Sequence, residues 1–231
     1  MFTYRSLLRP NIGSMKKAST SSLILKSSLV ALGLVAAASY GEIVLAHYEE
    51  PAYEIIRKDG GIEIRAYKPR IVAEVELAGE RQECLEQGFR ILAGYIFGKN
   101  RPALITQEEV REKIPMTAPV ASEPTGGSTY TIRFFMPSRH SLETLPIPED
   151  RRVKLRALPA QVFAVRRFTG RWTDDNFAGQ RRALLEGLTR MKLETVGPVV
   201  DACYNPPFTL PFLRRNEVMV PVSEDAVRSS I

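Results

Sequence analysis

Histidine and cysteine are scarce in this 231-residue chain, with two of each, and tryptophan occurs once. His47 and His140 offer too little for a Ser-His catalytic triad. Cys84 and Cys203 form neither a disulfide framework nor a metal-site spacing, and two separate buried thiols are the simpler expectation. No nucleophile elbow, phosphate loop or His/Cys/Asp cluster is present. These absences argue against catalysis and make a non-enzymatic role the expectation.

Basic runs are missing as well. The formal charge is +6, but residues 1–46 hold Arg5, Arg9, Lys16, Lys17 and Lys26 against Glu42 alone, a net of +4. Only +2 is left for the rest. Phosphate-backbone recognition needs clustered Lys and Arg, so nucleic acid is not an expected partner.

Long apolar runs are confined to the start. "SLVALGLVAAASY" (28–40) follows basic and Ser/Thr residues and leads into small residues, the layout of a secretory signal. Cleavage after Ala46 or Ala38 fits that pattern and predicts export to the periplasm. Alternatively, residues 28–46 are close to the ~20 needed to span a bilayer and would act as a retained anchor. Glu42 opposes a span, at roughly 2.5–3.5 kcal/mol if central. Residues 1–46 therefore stand apart as signal peptide or anchor, residues 47–225 as one domain, and 226–231 as a flexible tail. Membrane contact is expected only through the N-terminal segment.

What the body does contain is a repeat. "RAYKPRIVAEVELAG" (65–79) returns 91 positions later as "RALPAQVFAVRRFTG" (156–170), matching at Arg65, Ala66, Ala73 and Gly79. In the first copy, Ile62 and Ile64 alternate with Glu63 and Arg65 after an Asp59-Gly60-Gly61 turn, which predicts a strand. Ile71, Ala73, Val75 and Leu77 then share one face of a second strand. Beyond Gly79 the period changes: Leu85, Phe89, Leu92 and Ile96 make one helical stripe, closed by Gly98. The second copy has two strand-like runs broken at Pro159. A helix follows, capped at Thr173–Asp174, with Phe177, Leu184, Leu188 and Met191 on one stripe. Each copy ends in extended, proline-punctuated sequence. The pattern predicts an α+β fold: a distorted antiparallel β-barrel flanked by two long helices and built from a pseudo-twofold duplicated ββαββ unit. The halves run from about 53 to 137 and from 151 to 222. A hollow between them is the expected pocket.

"EIRAYKPRIVAEV", "GYIFGKN", "KIPMTAPV", "FFMPSRHSLETLPIPED" and "CYNPPFTLPFLRRNEVMV" together resemble the SOUL / heme-binding protein family, from about Tyr53 to Val222. The resemblance implies a duplicated barrel-like fold, shared with GyrI-like drug-sensing domains. It also implies a carrier or buffer of heme or another tetrapyrrole, or, alternatively, a general binder of flat hydrophobic small molecules. One branch has a proposed histidine ligand within a segment like "EIRHY"; here Ala66 takes that place and cannot coordinate iron. The other branch holds the macrocycle without an axial ligand. Carried over by position, its contacts are Phe89 and Ala93 on the first helix and Phe208 and Leu210 in the loop after "YNPP". Its basic helix positions fall on Glu86 and Gly94, and its loop lysine on Leu210. Arg166, placed by the repeat on the face of Val162 and Ala164, and Arg214 beside Arg215, are the cationic candidates for a ligand carboxylate. Met116 in "PMTAP" reads as core filling rather than an iron ligand. The expected site is thus a heme or hydrophobic-molecule pocket without metal-ligating residues.

Overall fold

The computed structural model describes residues 48–103 and 111–229, and His47–Ile231 forms one compact unit. The expected leader and His47 lie outside the described residues. Strands β1 (Tyr53–Asp59) and β2 (Ile62–Tyr67) form a hairpin. Its turn needs glycine, because Gly60 and Gly61 both have positive φ, 54° and 80°. Next come β3 (Arg70–Ala78), α1 (Arg81–Ile96), short β4 (Asn100–Arg101), β5 (Val120–Gly126), β6 (Thr129–Phe135) and short β7 (Ile147–Pro148). The second half supplies β8 (Lys154–Leu158), β9 (Gln161–Phe168), α2 (Asp174–Met191), β10 (Val200–Cys203), β11 (Asn216–Pro221) and α3 (Glu224–Arg228).

Nine strands form one antiparallel sheet in the order β1-β2-β9-β11-β10-β5-β6-β3-β8, and β4 pairs with β7 separately. Two short connections dictate its shape. β2 and β3 are six positions apart in that order, about 29 Å in a flat sheet, yet only Lys68 and Pro69 join them. Three Cα–Cα steps reach about 11 Å at most, so the sheet must curl. Pro159 and Ala160 impose the same constraint between β8 and β9. The result is a half-barrel, open between the edge strands β1 and β8.

Strand register displays the duplication directly. Ala66 of β2 stands opposite Val162 of β9, and Ile71 of β3 stands opposite Ala157 of β8. A shift of 91 positions turns the first member of each pair, 66 or 71, into 157 or 162, residues of the other pair. Each half thus lends its first strand to the other's sheet. The two halves meet where β5 pairs with β10, with Ala121 opposite Ala202.

Alternation along the strands separates two faces. On one face α2 covers Ile62, Ile64, Val162, Ala164, Val218 and Val220, while α1 covers Ala73, Val75, Ile132 and Phe134. Phe177, Leu184 and Leu188 of α2 are fully buried there, worth about 1.5–3 kcal/mol each. Thr173 caps α2 as expected, its Oγ1 accepting from the Asn176 amide at 3.4 Å. Between the helices Asp201 of β10 accepts from Arg81 at 2.7 Å and from Arg181, and Arg81 also meets Asp174 at 2.6 Å. These bonds pin both helix N-terminal regions to the seam between the halves.

The chain end departs from the sequence expectation. Residues 226–228 belong to α3, where Ser223 caps the Ala226 amide at 3.4 Å and Val227 is buried against the α2 core. A short polar sequence concealed that anchor.

Candidate functional site

The hollow expected between the halves is filled. Among the described residues no helix covers the sheet's other face, yet Tyr67, Phe163, Val165, Ala202, Tyr204 and Met219 are buried on it, because the curled sheet folds them inward. Glu217 of β11, with no solvent exposure, lies at the centre. It accepts from Arg65 at 2.9 and 3.2 Å, from the Tyr204 hydroxyl at 2.8 Å and from Arg215 at 3.1 Å. The Arg65 guanidinium lies 4.4 Å over the Tyr53 ring, and that of Arg215 3.7 Å over Tyr204. At the rim, Arg70 stands over Tyr67, Phe163 and Phe135 at 5.0–5.9 Å. Its own burial lowers its pKa. These contacts satisfy a buried carboxylate and occupy the interior with the protein's own side chains. The sequence reading overlooked Glu217. The available signal was an acid inside the apolar strand "NEVMVPV", matched by an arginine inside "EIRAY".

Phe89 and Ala93 lie on the helix-bearing face. Gly88 lets α1 sit close to the sheet; a Cβ there would come within 2.8 Å of Ile132. The next residue, Phe89, then rests edge-on against Phe134 (5.4 Å, 63°) and remains 41% exposed. One turn on, Ala93 is half-buried against the α1 core.

Phe208 and Leu210 belong to the loop between β10 and β11 and are 52% and 46% exposed. Arg214 fastens that loop, donating to the carbonyls of Thr209 (2.8 Å) and Pro207 (2.5 Å) and stacking 4.5 Å over Trp172. Asn205 accepts from the Arg215 amide at 2.6 Å, and the Gly170 amide donates to Pro211 at 2.9 Å. Register relates the loop to α1. Phe134 pairs with Val120, and Val120 with Cys203, which directly precedes the loop. The loop therefore begins two strand spacings, about 10 Å, from the strand beneath Phe89. Val120 and Cys203 between them are only partly covered.

The charged candidates are placed differently from the expectation. Arg166 does share a face with Val162 and Ala164, but that face lies under α2, and its Nε donates to Gln180 at 2.9 Å. Arg214 holds the loop, and Arg215 turns inward to Glu217. Cations come instead from a groove of about 530 Å³ along α1, lined by Glu86, Arg90, Gly94, Lys99, Asp150 and Arg152 among others. Glu86 and Gly94 are non-basic as expected, and Arg90 and Lys99 stand beside them in this groove. Their spacing, one residue round the helix from Phe89 and one turn past Tyr95, was legible but not used. Hydrogen bonds from Arg152 hold the Asp150 carboxyl below its usual range.

Both cysteines are free. Burial pushes the Cys203 thiol up to about 12, so it stays protonated at neutral pH. His140 lies in a turn and accepts from Arg139 at 3.3 Å, and Met116 packs against the α1 core. Among the described residues no three His, Cys, Asp or Glu side chains gather as a metal site.

The fold and its placement of side chains define a class: duplicated α+β half-barrels with two helices on one face of a nine-stranded sheet. Solved structures share it. The C-terminal domain of EcmrR superposes with a TM-score of 0.54 at 8% identity, covering 74% of this chain and 98% of its own. EcmrR in a DNA complex gives 0.54 at 7%, covering 87% and 69%. A hydrolase from Listeria innocua gives 0.50 at 12%, covering 73% and 94%. At such identities the likeness is one of fold alone. No curated protein matches the sequence. The model of the SOUL heme-binding protein family matches residues 48–221, and the chain belongs to that family.

Proposed function

We propose that this protein is a non-catalytic carrier of heme or a related tetrapyrrole, held without a histidine ligand on the surface between α1 and the β10–β11 loop. It acts outside the cytoplasm, exported or anchored through residues 28–46. The observation that carries the reading is exposed Phe89 with Ala93 on α1 and exposed Phe208 and Leu210 in a fastened loop that begins two strand spacings away, in a chain of this family. Arg90, the exposed neighbour of Phe89 on α1, is the propionate partner. Heme bound there would supply only its own iron chemistry; the protein's part is to shield one macrocycle face and pair its acids.

Magnitudes favour a loose carrier. Burying roughly 400 Å² of macrocycle gives about 10 kcal/mol gross, and association removes at least ~4. The remainder corresponds to tens of micromolar, improved by propionate pairing. Titration of the purified protein with hemin should give a saturable Soret change. That change should be unaffected by His140→Ala and weakened several-fold by Phe89→Ser or Arg90→Glu. Absence of saturation would remove heme as the ligand.

A general binder of flat hydrophobic molecules is the second reading. It is favoured by Ala66 in place of a ligand and by the mixed charge of the groove. Thermal shifts as large with other flat aromatic molecules as with hemin would support it.

A further inference from the structure

The residues Pro206–Leu213 contain no charged side chain, and their only polar one, Thr209, is buried. Four large apolar side chains face outward: Phe212 is 69% exposed and Leu213 51%, beyond the two already assigned to the ligand. The loop is nonetheless well fastened, by the Arg214 and Asn205 bonds and the bond from Gly170 to Pro211. It therefore presents a preformed apolar tip, which loses little conformational freedom on docking.

Two observations identify what the tip meets. First, Arg171 follows Gly170 at the loop's base, Arg214 closes the loop, and Arg139 lies one residue beyond Ser138, whose amide donates to Glu49 at 2.6 Å. Among the described residues none of the three arginines pairs with a carboxylate. Second, the described chain begins at the same end of the sheet. Glu49 bridges Thr117 just before β5, and Glu50 accepts from Arg215 at 2.8 and 2.9 Å, one residue after Arg214. The sequence that precedes it, residues 28–46, is the chain's longest apolar run.

The geometry points to a bilayer surface with anionic headgroups as the partner of this loop. Phe212 and Leu213 enter the headgroup–acyl boundary, and Arg139 and Arg171 meet the headgroups. A lipid interface asks for no hydrogen-bond pattern, and the tip offers none. Insertion of the apolar tip and attraction of the arginines to headgroups are two weak signals that together give an attachment neither gives alone. The inference is independent of the ligand.

Fluorescence of the full chain with vesicles of phosphatidylcholine and phosphatidylglycerol tests it. F212W adds emission to that of Trp172. This added emission should shift to the blue on vesicle binding and lose most of its intensity when the acyl chains are brominated. V196W serves as the control: Val196 is 62% exposed and hydrogen-bonded to Pro221, at the far end of β11. Its added emission should be unaffected. If the emission added by F212W does not respond while the protein is vesicle-bound, or if V196W responds equally, the proposal is overturned. A response only to a protein fraction, never to vesicles, would also overturn it.

Discussion

The two halves place opposite charges at equivalent points of one backbone. Arg133 stands opposite Ala121 in the first half, and Glu217 stands opposite Ala202 in the second, with Ala121 and Ala202 paired at the seam. Arg133 is bound by Glu74 at 2.7 Å and Glu123 at 2.6 Å, with side chains 12–15% exposed. Glu217 is bound by Arg65 and Arg215, and the Arg65–Glu217 side chains are 3% and 0% exposed. The neighbours differ too: Arg65 faces Tyr53 and Tyr67, whereas its 91-residue counterpart Arg156 is 59% exposed and 3.5 Å from Glu74. The same topology thus carries one dehydrated cluster and one that water still reaches. A charge network contributes according to what removing one member leaves buried and unpaired.

That contrast orders the expected effects. Glu217→Ala leaves Arg65 in the interior with only the partly exposed Glu63 as its carboxylate and removes an acceptor from Arg215, and should cost about 3 kcal/mol in urea unfolding. A loss below about 1 kcal/mol would show that water enters the half-barrel and that the contrast between halves is false.

Next comes the response to alkali. Burial raises the Tyr67 phenol to about 12. A group whose folded pKa lies above its unfolded value, about 10 for tyrosine, contributes fully below pH ~10 and is lost as pH climbs towards 12. The folded protein should lose about 2–3 kcal/mol across that window. Tyr67→Phe should remove that share of the dependence and leave those of Tyr95 and Tyr204, whose phenols burial also raises, followed by circular dichroism against phenolate absorbance.

Arg133→Met, in the wetter cluster, should cost about 1.5–2 kcal/mol. Equality with Glu217→Ala would erase the difference between halves. Arg156→Ala should change stability by no more than about 0.5 kcal/mol, the ordinary value of an exposed pair. A larger loss would mean that Arg156 also supports the edge strand β8.

Much of the architecture was legible. Alternation gave β2, β3, β8 and β9, the change of period after Gly79 gave α1, and Thr173 marked the start of α2. These signals are local, set by backbone period and capping. The motif residues were recognised without their roles. Glu63, Arg65 and Tyr67 of "EIRAY", Tyr204 of "CYNPPF", and Arg215 with Glu217 of "RRNEV" proved to be parts of one buried network. Each is unremarkable alone, because a charged residue in a strand reads as solvated until its partner is known. Arg166 was assigned the right face, but which element covers that face is not a local property.

Sequence alone determined the duplicated unit and the order of its strands and helices, because periodicity and turn chemistry act over a few neighbours, and its motifs carried the family resemblance. Tertiary structure decided that the first strands are exchanged between halves and that the interior is closed by Glu217 and its arginines. Those outcomes depend on two-residue connectors bending the whole sheet, and on charges meeting across more than a hundred residues of chain. No window of sequence spans such distances.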